Sequence, residues 1–293
     1  MIPNFITMNK LIIFIVLLLF PRFKIFAQSH LKNVQATSVW APANVKIDGK
    51  VNEWEDNFQA YNKSTRLFYT LSNNEKYLYL AITSTDAQNN TKIAAGGITL
   101  IINTAGKKKD KDAFILTYPV ISTTGRGRGR GGRRQPGSEG DTVAINAAHR
   151  QLIESSKEIK VFGFKDVDDT LISIYNEYGI KTAIGYDTLG NYNYELAIPL
   201  KLLGLSPDNT AEIAYNVKVN GLQIANGDQG KVMLNAFQSG GISVSGDGGF
   251  GGGGRGGGRG GGTKGGGKAN NEMDFQDLTS PTDFWGKYTL AKK

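Results

Sequence analysis

The chain has no cysteine and only two histidines among its 293 residues. Without cysteine there is no disulfide framework, no thiolate nucleophile and no site for a lipid-modified N-terminal cysteine. The histidines, His30 and His149, stand apart, and neither belongs to an HExxH helix or another spaced ligand set, so the familiar zinc sites are excluded. No GxSxG elbow occurs, which removes hydrolases of that type. Long apolar runs are also scarce. The longest, LIIFIVLLLF (Leu11 to Phe20), falls short of the roughly 20 apolar residues that a spanning helix needs.

That run follows Asn9-Lys10 and precedes PRFKIFAQ, with the small residue Ala27 placed for cleavage. The pattern reads as a secretory signal peptide over residues 1–27. The expected mature chain, 28–293, is long enough for one domain held by a hydrophobic core instead of covalent staples. Its expected location is the periplasm, the cell surface or the medium, with no transmembrane span after cleavage.

The net charge is +8, yet it is spread unevenly. Five arginines lie between Thr124 and Arg134, and Arg255, Arg259, Lys264 and Lys268 lie in the glycine-rich stretch Asp247 to Lys268. Outside these tracts and the signal segment, acids slightly outnumber bases. Glycine loses the most entropy on ordering, and the tracts carry almost no apolar side chains to offset that loss. The sequence therefore predicts disordered basic loops at 124–140 and 246–270. Their arginines, Arg126, Arg128, Arg130, Arg255 and Arg259, are candidate contacts for an anionic partner such as an acidic protein or polymer. Export, and the single aromatic Phe250 in the longer tract, argue against a physiological nucleic-acid ligand. GRGRGRGG opens no helix and has no GK[ST] ending, so it is not a phosphate loop.

The rest of the chain is a series of short apolar or alternating runs bounded by turn residues. Leu67 to Leu71 and Tyr77 to Thr83 flank Ser72-Asn73-Asn74-Glu75 as a hairpin, with Tyr77, Tyr79 and Ala81 on one face and Leu78, Leu80 and Ile82 on the other. Ile98 to Asn103 and Ala113 to Val120 form a second hairpin. Further strands are expected at Val45 to Ile47, Ile159 to Phe164, Leu171 to Tyr178, Ile180 to Tyr186, Tyr192 to Ile198, Ile213 to Leu222, Val232 to Phe237 and Tyr288 to Leu290. Such spacing predicts an all-β fold, a β-sandwich of jelly-roll or immunoglobulin-like type, with one or two short helices. The helical candidates are Ala144 to Ser155 and a short turn at Pro199 to Leu205.

Candidate chemistry is limited to carboxylates and aromatics. Asp86, Asp166, Asp168 and Asp169 lie in expected loops, where they are either solvated turn formers or oxygen ligands for calcium. Trp40, Tyr118 and Phe237 are candidate platforms for sugar rings. Trp54 and Trp285 read as packing residues.

Several segments together resemble the family 9 carbohydrate-binding modules: VKIDGKVNEW (Val45 to Trp54), LFYTLSNNEKYLYLAITSTD (Leu67 to Asp86), GITLIIN (Gly97 to Asn103), YNYELAIPLKLLGL (Tyr192 to Leu205), IAYNVKVNG (Ile213 to Gly221) and DFWGKYTL (Asp283 to Leu290). The resemblance implies an exported, non-catalytic β-sandwich that binds a sugar or a cell-surface polymer, often with calcium. It places one sugar-gripping tryptophan between Asp86 and Gly97 and another after YNVKVNG. Here no aromatic stands in the first interval, and Phe237 is the downstream candidate. The alternative is a periplasmic or surface scaffold whose basic loops dock an anionic partner.

Overall fold

The computed structural model describes residues 31–54, 58–120, 139–208, 211–222 and 275–293, with the backbone alone at 139–145 and 275. Two antiparallel sheets pack face to face as a β-sandwich. The five-stranded sheet runs in the order β1 (Ala60–Asn62), β2 (Leu67–Asn73), β3 (Tyr77–Ser84), β9 (Tyr192–Pro199), β8 (Lys181–Tyr186). The six-stranded sheet runs β11 (Thr282–Tyr288), β10 (Ile213–Val219), β4 (Ile98–Asn103), β5 (Phe114–Tyr118), β6 (Glu158–Phe162), β7 (Leu171–Ser173). Three helices accompany them among the described residues: α1 (Ala87–Gly96), α2 (Glu139–Ser155) and α3 (Phe275–Thr279). No helix among the described residues is long and apolar enough to cross a membrane.

Alternation decides what enters the core. Leu78, Leu80 and Ile82 of β3 point inward with Leu67, Tyr69 and Leu71 of β2, and meet Leu100, Val217, Tyr215 and Leu116 of the facing sheet. Side chains two residues apart share a face of a strand, so one apolar set forms the shared core. Tyr69 and Tyr215 join across the sandwich through their hydroxyls at 2.9 Å, and burial raises both phenol pKa values. Gly286 makes room for this pair, since a Cβ there would lie 2.2 Å from the Tyr215 ring.

The segment from Lys32 to Ala41 closes the exposed side of β2. Gln35 accepts from the Leu71 N–H and donates to the Leu71 carbonyl, both at 2.8 Å, in place of a neighbouring strand. Beyond it Val39 and Ala41 pair with Asn73, whose side chain also bonds Tyr288 and both backbone groups of Ala291.

Both hairpins form as expected, β2 with β3 and β4 with β5. Several elements differ, among them β1 and α3, which the sequence reading did not include. Val45 to Ile47 is not a strand; Val45 and Ile47 pack outside the five-stranded sheet in a second apolar cluster. The last strand ends at Tyr288 instead of beginning there, because β11 pairs residue by residue with β10 from Ile213↔Tyr288 to Val219↔Thr282. The strand expected to reach Tyr178 stops at Ser173, after its three pairs with β6. Between Asp86 and Gly97 lies a helix that no expectation included. Its signals are conventional: Asp86 caps the N-terminus by accepting from the Asn89 N–H at 2.8 Å, and Gly97 ends it at φ +73°. α2 begins earlier than Ala144 and docks on β8, its His149 ring stacked on Tyr186 at 3.5 Å. The expected strand Val232 to Phe237, the tract 246–270 and residues 124–138 lie outside the described residues, while residues 139 and 140, expected in the first disordered loop, open α2.

Candidate functional site

The sequence-predicted residues do not form one site. Trp40 is half-buried beside β2, bridged to Asn73. Tyr118 is a core residue of the other sheet, 2 % exposed, its hydroxyl donating to the Ser156 carbonyl at 3.1 Å. A ring enclosed in this way has no face to offer a sugar, which corrects the expectation for Tyr118. Phe237, Arg126, Arg128, Arg130, Arg255 and Arg259 lie outside the described residues. Asp168 and Asp169 line an open recess of about 200 Å³ at the β6–β7 connection, with Phe162, Gly163 and Val167. Asp166 belongs to the same connection. Asp86 is elsewhere, accepting from Arg66 at 3.3 Å and capping α1. Among the described residues, no three histidine, aspartate or glutamate side chains converge where they could hold a metal ion.

A different constellation stands at the end of the sandwich under α1. A small pocket of about 50 Å³ is lined by Ser64, Arg66, Gln88, Asn89, Lys92, Asp277, Leu278 and Thr282. Four separate stretches build it. The β1–β2 turn is shaped by Asn62, whose Oδ1 accepts from the Ser64 and Thr65 N–H groups at 3.1 and 3.0 Å. That turn forces Arg66 into the left-handed region at φ +52°, a conformation a non-glycine residue holds only when its surroundings fix it. Asn89 staples α1 to the turn by donating to the Thr65 carbonyl and the Ser84 hydroxyl, both at 3.0 Å. α3 and the start of β11 supply Asp277 and Thr282.

Lys92 is the unusual member. It is 6 % exposed, and its Nζ donates to Thr282 Oγ1 at 3.2 Å. The described residues place no carboxylate within ion-pair distance of it, the nearest pairing being Arg66 with Asp86. Burial pushes its pKa down, the Asp277 carboxylate raises it and Arg66 lowers it further. Buried charges in proteins are normally paired, and an ammonium has three donors to satisfy. Lys92 therefore faces Asp277 across the pocket with hydrogen-bonding capacity left over. A donor and an acceptor held apart in this way can be bridged by adjacent hydroxyls, one accepting from the ammonium and one donating to the carboxylate.

Arg66, Lys92 and Asp277 were not among the sequence candidates. The Asp86 cap and the Gly96-Gly97 stop were readable signals for the helix carrying Lys92. Nothing local to Asp277 announces that it lines the same pocket as Lys92.

No protein-family model matches the chain, and no curated protein matches it.

Proposed function

We propose that the protein is a non-catalytic β-sandwich module that binds a carbohydrate, with the pocket under α1 as the point of contact. The observation that carries this reading is Lys92, a buried cation without an ion-pair partner among the described residues, lining a polar pocket with Asp277. Vicinal hydroxyls on a pyranose can accept from the ammonium and donate to the carboxylate, and Asn89, Gln88 and Ser64 add neutral groups to the lining. Asp277 is the one carboxylate among the pocket's lining residues, and the neighbouring Asp86 is committed to Arg66 and to the cap of α1, so the two do not form an opposed pair across the pocket. The resemblance to family 9 modules supports the same placement, since it puts the sugar-gripping side chains in the Asp86 to Gly97 interval and after β10. In this chain the first interval forms α1, which carries no aromatic side chain, and the downstream candidate Phe237 lies outside the described residues.

Calorimetric titration with a panel of mono- and disaccharides tests the reading. Lys92→Met and Asp277→Asn are each expected to weaken binding about tenfold or more, as loss of a charge-assisted hydrogen bond implies. Lys92→Met should leave thermal stability unchanged or raised, because an apolar isostere replaces a desolvated charge. Equal binding by wild type and both variants would remove the pocket from consideration.

A further inference from the structure

Among the described residues Lys92 is the one buried lysine; the others are exposed or half-exposed. Its nitrogen donates to Thr282 Oγ1 at 3.2 Å, and the residue forms part of the pocket wall. A hydroxyl is a neutral acceptor and does little to hold an amine protonated. Desolvation, the largest influence, favours the neutral amine; Asp277 opposes it and Arg66 adds to it. Lysines desolvated in this way beside a second cation are the ones that act as nucleophiles toward carbonyl groups.

The pocket supplies what else that chemistry requires. Asp277 brings a carboxylate to the same wall, able to take up a proton and return it. Ser64, Gln88 and Asn89 surround the space with neutral polar groups. A volume of about 50 Å³ takes in a molecule of a few heavy atoms whole, whereas a sugar ring would meet it with one edge.

We infer that Lys92 is a covalent capture site for a small polar aldehyde, its amine condensing with the carbonyl to an imine while Asp277 carries the protons. The nitrogen lone pair forms the C–N bond, the carbonyl π pair moves onto oxygen, and one amine proton passes to that oxygen through the carboxylate. The resulting carbinolamine expels its hydroxyl as water, which takes the second amine proton by the same route, and the nitrogen lone pair completes the C=N bond. Amine and aldehyde thus give imine and water, with nothing oxidised or reduced. The inference goes beyond the carbohydrate reading, which needs Lys92 only as a hydrogen-bond donor.

Reductive trapping tests it. The full chain is incubated with glycolaldehyde at neutral pH, the imine is reduced with cyanoborohydride, and peptide mapping by mass spectrometry follows the label on each lysine. Lys92 is expected to label about tenfold faster than the exposed Lys160 and Lys201. Asp277→Asn should slow Lys92 about tenfold and leave Lys160 unchanged. Cyclohexanecarboxaldehyde, too bulky for the pocket, should label Lys160 and spare Lys92. Lys92→Arg keeps hydrogen-bond donors for a sugar but forms no reducible imine, so calorimetry with the sugar panel beside the labelling tells the two readings apart. Thermal melts of every variant separate lost reactivity from lost folding. Label at Lys92 no faster than at Lys160 in the folded wild type overturns the capture site, and the carbohydrate reading then stands if the sugars still bind. Label without sugar binding supports the capture site and removes the carbohydrate reading. An unchanged Lys92 rate in Asp277→Asn overturns the proton path.

Discussion

On the five-stranded sheet, the outward side chains of β9 are as buried as the inward ones; on the six-stranded sheet, β6 alternates strictly between buried and exposed. The difference is a roof. Residues 41–54 and Phe58 lie over β3 and β9, and Trp54, Ala41, Val45, Ile47 and Phe58 pack on Tyr79, Ala81 and Ala197. At the centre of that roof lies Glu195, 0 % exposed. Its carboxylate accepts from Trp54 Nε1 at 3.1 Å and from the Asp48 and Gly49 N–H groups at 3.1 and 2.9 Å. Gly49, at φ +83°, brings the loop so close to β8 that a Cβ would lie 2.4 Å from the Ile184 carbonyl. A single acidic side chain thus ties the roof to one outward face, whereas on the other sheet Phe162 at the β6 end stands exposed while Ala214, Asn216 and Thr99 on the central strands are buried. The same fold roofs one sheet surface, while β6 of the other sheet keeps its outward side chains exposed.

The largest effect that would break this contrast comes from Glu195→Ala. It strands three donors under the roof and opens a cavity, and is expected to cost about 3–5 kcal/mol in denaturant unfolding. A cost below about 1 kcal/mol would mean that the roof is held by apolar packing alone.

Acid–base behaviour sharpens the comparison. Burial pushes the Glu195 pKa up to about 7, against the pull of its three hydrogen-bond donors and with a further push from Glu53. The folded state therefore keeps a proton that the unfolded chain releases near pH 4.5. The proton-linked contribution is greatest at the acid end of this window, is lost as pH rises through the folded pKa, and is level above it. The expected swing is roughly 3 kcal/mol. Denaturant midpoints measured across the window for wild type and Glu195→Gln check this, since the variant should lack that slope. A wild-type curve of the same shape as the variant's would show that the carboxylate stays ionised under its roof.

The smallest effect belongs to the uncovered face. Phe162→Ser should change unfolding free energy by no more than about 0.5 kcal/mol, as for surface positions without special partners. A loss comparable to that at Glu195 would show that Phe162 is packed and that the two faces are alike.

Much of the architecture was legible in the chain. The inward set of β2, β3, β4, β9 and β10 follows from alternation, and both hairpins from their turn residues. The helix α1 was legible in principle from Asp86 and Gly97, but ITSTDAQNNTKIAAGG has few apolar residues and no strong helical stripe, so the strand series on either side dominated the reading. The β11 boundary was missed because DFWGKY contains a glycine that serves Tyr215 of the neighbouring strand, not its own turn. For the candidate site the failure is different. Of the aromatic candidates Tyr118 is enclosed in the core, whereas the pocket is lined by Arg66, Lys92 and Asp277, ordinary surface residue types that become informative only when Lys92 is found buried without a counter-charge among the described residues.

Sequence by itself determined the period of each strand and hence which side chains could share a core, because alternation is a local property of the backbone. What covers the far side of each sheet was decided only by the tertiary structure. Glu195 meets Asp48 and Gly49 across 147 and 146 residues. Lys92 meets Thr282 across 190. Pairings at that separation depend on how sheets stack and where connections cross, and no period or spacing within either segment encodes them.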